Sequence, residues 1–372
     1  MHIRIDRVAL AKGLAHTQNV VERRNTIPIL NNVLLEAANG VLLLTATDMD
    51  LTVQESLDCT IVQDGSLTVP AHMFYDIVRK LPDGQDVEIK SNGEIGRVVV
   101  LAGKAEFTLG TLPREDFPNV QGDSLPQHFF LGSEALRALI DRTRFAISTE
   151  ETRYYLNGIF MHTVGEGATA TLRGVATDGH RLARVELNQP QGAEGMPGVI
   201  IPRKTVGELR KLIDETTSDI KIELSESSIQ FSFDRVRLRS RLIDGTYPDY
   251  EGVIPANNQH LLRLDKTLFA ASVDRVSTIS ADKIRAIKMA VQPGSVSVSS
   301  TAQDTGTAME ELEADFQGPD VKVGFNARYL LDIAAQLEGE VAEFALDGPN
   351  TPTLIRDPDD QSALFVIMPM RV

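Results

Sequence analysis

At 372 residues, with 42% hydrophobic content and a formal net charge of −15, the chain exceeds what one hydrophobic core serves and has apolar side chains enough for two or three. Its single cysteine, Cys59, excludes an internal disulfide and a cysteine zinc cage, and fits a reducing cytosol. The acidic sum speaks against nucleic acid, although a sum over all surfaces would hide a basic inner face inside an acidic exterior if one existed. In chain order, HIRIDRVALAKGLAHTQNVV from His2 alternates and then turns helical with charges throughout. It lacks the apolar core of a signal peptide, and no run approaches the roughly 20 apolar residues of a membrane span, so a cytoplasmic protein is expected. GVLLLTATDMDLTV (40–53) and RVVVLAG (97–103) read as strands, and VPAHMFYDIVRKLPDG from Val69 contains a second helix.

The layout then recurs. HFFLGSEALRALIDRTRFAIS from His128 and HLLRLDKTLFAASVDRVSTIS from His260 repeat the strand and amphipathic helix of the first segment. Leu10, Leu136 and Leu268 correspond at offsets of 126 and 132, as do Val21, Ile147 and Ile279. Second helices follow in IPRKTVGELRKLIDE from Ile201 and GFNARYLLDIAAQLEG from Gly324, with Phe74, Val206 and Leu330 in register. Turn-forming residues near 125–126 and 255–259 mark the boundaries. The expected fold is therefore α+β: three repeated domains, 1–126, 127–258 and 259–372, each with two helices on antiparallel sheets. Sheets in a row leave unpaired strand edges at both ends, and a closed head-to-tail dimer removes them.

VATDGHRLARVEL (175–187) is the most enzyme-like passage, because Asp178 and His180 sit two residues apart beside a turn glycine. Asp178 has a counterpart 130 residues earlier, Asp48 in TATDMD, which marks it as a turn-capping part of the repeat rather than a catalyst. The chain has no G-x-S-x-G, H-E-x-x-H or P-loop. A hydrolase or transferase using Asp178 and His180 is the alternative reading, supported by proximity alone. No cofactor, metal or catalytic residue is expected.

RRNTIPILNNVLLE, FPNV, RYYLNG, ATDGHRLA, VIIPRK, YPDY, GFNARYLLD and the C-terminal MPMRV, taken in this order over residues 1–372, resemble the bacterial DNA polymerase III beta subunits, the beta sliding clamps. That resemblance implies a non-enzymatic processivity factor, a homodimeric ring around double-stranded DNA without sequence specificity. Its expected partners are the replicative polymerase, the clamp loader and other proteins carrying clamp-binding peptides. Twelve helices about 10 Å apart around a circle leave a hole of roughly 28 Å, which admits a duplex about 20 Å across.

Helix faces supply the candidates for that hole: Lys12, Arg79, Lys80, Arg137, Arg142, Arg144, Lys204, Arg210, Lys211, Arg275 and Lys283, which attract phosphate without reading bases. The resemblance adds Arg24, Tyr154, Tyr155 and Lys204 as DNA contacts, with His72 and Glu150 standing where a well-known relative has Arg and Gln. It also implies a pocket for partner peptides. Leu156, Thr177, Gly179, His180, Arg181, Leu182, Pro248, Val253, Val366 and Met368 form its deep apolar subsite; Asn326, Tyr329, Pro369, Met370 and Arg371 form a neighbouring groove. Gly252 replaces a charged residue of a relative at the rim. The dimer contact is expected between 104–109 and 308–316, with Phe107 and Ile279 buried and Lys104 facing Glu310.

Overall fold

Alternation along the chain sets the strands. In LTVQESLD, Leu51–Asp58, every second side chain points inward: Leu51, Val53, Glu55 and Leu57 are buried. Glu55 is the polar member of that row, and His16 Nδ1 lies 2.7 Å from its Oε2, which satisfies the buried carboxylate. The computed structural model describes residues 1–91, 96–120, 122, 124–280, 285–302 and 306–371. Among them are six α-helices: α1 (Arg7–Gln18), α2 (Ala71–Val78), α3 (Ser133–Arg144), α4 (Arg203–Ile213), α5 (Lys266–Ser277) and α6 (Ala327–Ala334). Each repeat thus contributes two. Asp6 and Asp265 cap α1 and α5, accepting from the amides of Ala9 and Leu268 at 2.8 Å each.

The third copy is one residue out of the expected register. The first helices begin at Arg7, Ser133 and Lys266, 126 and then 133 residues apart. Phe269, not Leu268, occupies the buried position of Leu10 and Leu136, and Leu268 is 60% exposed. Both residues are apolar, so hydrophobic pattern alone did not separate them.

Two compact units result: Met1–Glu134 with Pro190–Ala193 and Lys204–Leu242, and Ala135–Gln189 with Glu194–Arg203 and Ile243–Val372. The first holds a five-stranded sheet in the order Thr60–Gln63, His2–Asp6, Asp86–Ser91, Arg97–Ala102, Ala105–Gly110. Its eight-stranded sheet runs Gln127–Gly132, Asp219–Leu224, Ser228–Phe233, Val236–Arg241, Leu51–Asp58, Val41–Thr47, Asn32–Ala38, Gly65–Pro70. The second unit holds a nine-stranded sheet: Val199–Pro202, Gly158–Val164, Thr171–Thr177, Arg181–Asn188, Asp360–Ile367, Thr353–Asp357, Val341–Leu346, His260–Asp265, Asp315–Phe316. A four-stranded sheet, Gly306–Glu313, Ser295–Ala302, Ala286–Gln292, Val321–Asn326, completes it.

Strands of successive repeats pair directly within these sheets. Leu238 lies opposite Val53, and Leu182 opposite Val366, in antiparallel register. The middle repeat consequently divides its strands between the two units.

Candidate functional site

The TDGHR turn is built by its own side chains. Asp178 Oδ1 accepts from the amides of His180 (2.9 Å) and Arg181 (3.0 Å), and Thr177 Oγ1 accepts from Gly179 N at 3.1 Å. Gly179 has φ +85°, in the left-handed region that favours glycine, although Met49 holds φ +84° at the same place in the first repeat. Asp48 makes the same turn in the first repeat, accepting from Asp50 N at 3.0 Å and Leu51 N at 2.7 Å. Asp178 is therefore a scaffold residue. Its second oxygen meets Arg181 Nε at 3.1 Å. Arg181 is buried; it reaches Asp332 Oδ2 on α6 at 2.5 Å and the Phe145 carbonyl at 2.6 Å, and its guanidinium lies 4.3 Å from the Tyr329 ring centroid.

Behind this turn, in the second unit, lies a cavity of about 270 Å³. Leu182 and Val366, paired across their strands, share its lining with Leu156, Thr177, Gly179, Arg181, Pro248, Val253 and Met368. All nine were expected in the deep subsite. His180 was expected too but does not line the cavity: it is exposed, stacks 6.3 Å from Tyr329, and accepts from Met368 N at 2.8 Å through its carbonyl. Arg153, Tyr155, Asp249 and Tyr250 line the cavity without having been assigned to it. The Tyr250 hydroxyl meets His162 Nε2 at 3.0 Å and Arg173 Nη1 at 3.1 Å. Burial pushes the Tyr250 pKa up, against the lowering effect of the Arg173 hydrogen bond. Arg173 also pairs with Glu186 and Glu251, which braces the 248–253 wall. In the neighbouring groove Asn326 caps α6, accepting from Arg328 N at 3.0 Å, and Met370 N donates to Gly324 O at 2.9 Å. Tyr329 and Pro369 are half-buried, and Arg371 is exposed. Such a site offers a greasy hole with a buried cation beside it, suited to an apolar side chain rather than to bond-making.

Several cations assigned to phosphate are committed elsewhere. Lys204 binds Asp48, together with Glu22 at 3.3 Å; burial opposes its charge, but these carboxylates raise its pKa overall. Arg142 is buried against Asp360 at 2.6 Å. His72 has both ring nitrogens occupied, by Gln18 Oε1 at 2.6 Å and Val21 O at 2.9 Å. These three hold the fold. Lys12 pairs with Glu215, Arg79 with Asp76, Arg144 with Asp141, Arg210 with Asp214 and Lys211 with Glu208. Tyr155 is half-buried in the pocket cluster, whereas Arg24, Lys80 and Tyr154 are exposed and Arg137 is half-buried. Glu150 pairs with Arg153 at 2.6 Å, and that hydrogen bond holds its carboxyl below the usual range. Lys283 lies outside the described residues.

Of the expected dimer residues, Lys104 is exposed, Phe107 packs half-buried on the core of the first unit, and Ile279 is half-buried. Glu310 is already gripped by Arg275, whose Nε and Nη2 each lie 2.8 Å from a carboxylate oxygen. Among the described residues no helix is long and apolar enough to cross a membrane, and no group of three or more His, Cys, Asp or Glu is placed to hold a metal.

Three copies of a two-helix unit on shared antiparallel sheets, with an apolar docking cavity, define the DNA-clamp class of scaffold. Models of the N-terminal, central and C-terminal domains of the DNA polymerase III beta subunit match residues 1–121, 131–249 and 251–371. The chain belongs to the DNA polymerase III beta subunit family, the beta sliding clamps, which are non-catalytic processivity factors. It is 49% identical to the beta sliding clamp of Caulobacter vibrioides over 372 residues and 34% identical to that of Escherichia coli K12 over 377, with all of both chains covered in each case. A crystal structure of the Caulobacter crescentus clamp matches with a TM-score of 0.98 at 49% identity, covering 100% of this chain and 99% of that one. A Bartonella birtlesii clamp bound to griselimycin matches at 0.97 and 47%, with both chains fully covered.

Proposed function

We propose that two copies of this chain close head to tail into a ring that encircles duplex DNA in the cytoplasm, and that the cavity between Leu182, Val253 and Val366 tethers polymerases and other partners by their peptide tails. The cavity carries this reading. It is apolar, preformed and flanked by the anchored Arg181. A leucine or phenylalanine anchor buried there contributes about 3 kcal/mol, and several such anchors give micromolar affinity, which suits partner exchange. Exposed Arg24, Lys80 and Tyr154 are the retained candidates for duplex contact. The domain bounds proposed are 1–126, 127–258 and 259–372, supported by the strands that open at Gln127 and His260.

The test is a titration of a fluorescent polymerase-tail peptide against Val253→Asp. Val253 is exposed on the cavity wall, so the variant folds and dimerises while peptide affinity falls at least about tenfold. Unchanged affinity places the docking site elsewhere.

A further inference from the structure

The three first helices carry a cation at the same place. His16, Arg142 and Arg275 are each nine positions beyond the helix start, at Arg7, Ser133 and Lys266. In the first two copies that cation is buried under a carboxylate supplied by the next repeat. His16 Nε2 lies 3.2 Å from Glu215, which follows α4, and Arg142 lies 2.6 Å from Asp360 and 3.8 Å from Glu338, which follows α6, both in the third repeat. Side-chain exposure of these cations is 9% and 8%. Arg275 is 59% exposed, with Glu310 of its own repeat as its ion-pair partner. That contact too has a precedent: Glu310 is the fifth residue of Gly306–Glu313, as Glu55, the own-repeat partner of His16, is of Leu51–Asp58. The third copy therefore has the inner half of the arrangement and lacks the half that a following repeat provides.

The matching half exists at the other end of the chain. Asp83 lies twelve positions beyond the start of α2, as Glu215 lies twelve beyond the start of α4. Its side chain is 81% exposed, with Arg7 at 2.7 Å. The strands agree. Val236–Arg241 and Asp360–Ile367, which close their repeats, pair with Leu51–Asp58 and Arg181–Asn188 of the preceding ones, whereas Ala105–Gly110 and Gly306–Glu313 are sheet edges.

We infer that Arg275 pairs with Asp83 of the partner subunit across each seam of the dimer, completing a third cation–carboxylate junction of the kind present twice within the chain. The inference rests on the dimeric ring proposed above. Arg275 keeps Glu310 and gains a second carboxylate, as His16 has two; Asp83 lies between Arg7 and the incoming guanidinium.

Two measurements test it. In a Cys59→Ser background, Asp83→Cys with Arg275→Cys is treated with a bis-maleimide spanning about 8 Å, a reach set by a salt-bridged pair of long side chains. A covalent dimer without higher oligomers is expected. In sedimentation equilibrium, Arg275→Glu raises the dimer dissociation constant about tenfold, and adding Asp83→Lys restores most of the loss. A dimer by light scattering that neither cross-links nor shows rescue overturns the pair and leaves the ring intact. A chain that stays monomeric at every concentration overturns both.

Discussion

His16 reports its junction through pH. It sits 9% exposed between Glu55 at 2.7 Å and Glu215 at 3.2 Å, and Lys12 holds the far oxygen of Glu215 at 2.8 Å. Burial disfavours the imidazolium, but hydrogen bonds and charge from Glu55 and Glu215 outweigh it, so the pKa is raised above 6.5. A raised folded pKa stabilises fully below the unfolded value and loses that stabilisation as pH climbs through the folded one. Replacing His16 by Ala leaves Glu55 buried and unpaired, whereas Glu215 is half-exposed and retains Lys12. The cost falls at the low end for a broken buried pair, about 3 kcal/mol. In a unit of this size that lowers the melting midpoint by roughly 6–12 °C. Melting curves of the two proteins at pH 6 and pH 9 give the check, with the gap expected to be wide at pH 6 and narrower at pH 9. A gap of constant width would mean that His16 titrates alike in folded and unfolded chains, and the account of its charge would be wrong.

Phe107→Asp places a charge in the proposed seam, and light scattering should find folded monomers at sub-micromolar concentration, where persistent dimers would remove Phe107 from the interface. Asp178→Ala strips the acceptor from the His180 and Arg181 amides while Arg181 keeps Asp332. The expected result is a peptide affinity about tenfold weaker with dimerisation unchanged; full affinity would make the turn irrelevant to docking. Gly158→Ala drives a Cβ to 2.2 Å from the Ile201 carbonyl, and a lower melting midpoint is the expected readout, with an unchanged one refuting the packing described.

Repeat number and helix count were legible because apolar spacing and turn chemistry are local, whereas the pocket was read only through the family resemblance. Leu182 and Val366 lie far apart in sequence, and family likeness rather than spacing joined them. Charge was less legible. Lys204 and Arg142 look like surface cations in the sequence, yet they and His72 are occupied by partners between 51 and 220 residues away. A basic residue on a helix face announces its sign and not its counterion. Tyr250 and Arg173 went unassigned for a related reason: the hydrogen bond that joins the Tyr250 hydroxyl to the Arg173 guanidinium spans 77 residues of sequence. The doublet of tyrosines at 247 and 250 flanking Pro248 was the available signal.

The sharing of strands between repeats makes the repeat a unit of sequence but not of folding. A middle repeat cut out at its own boundaries would lose the neighbours of both Val236–Arg241 and Arg181–Asn188, two long edges open to any passing strand. Gene duplication can copy such a segment, but only in tandem and only if the row ends against another copy of itself. Exchange of one repeat between related chains must therefore preserve two seams at once, so drift in any single copy is restrained by sequence lying more than a hundred residues away.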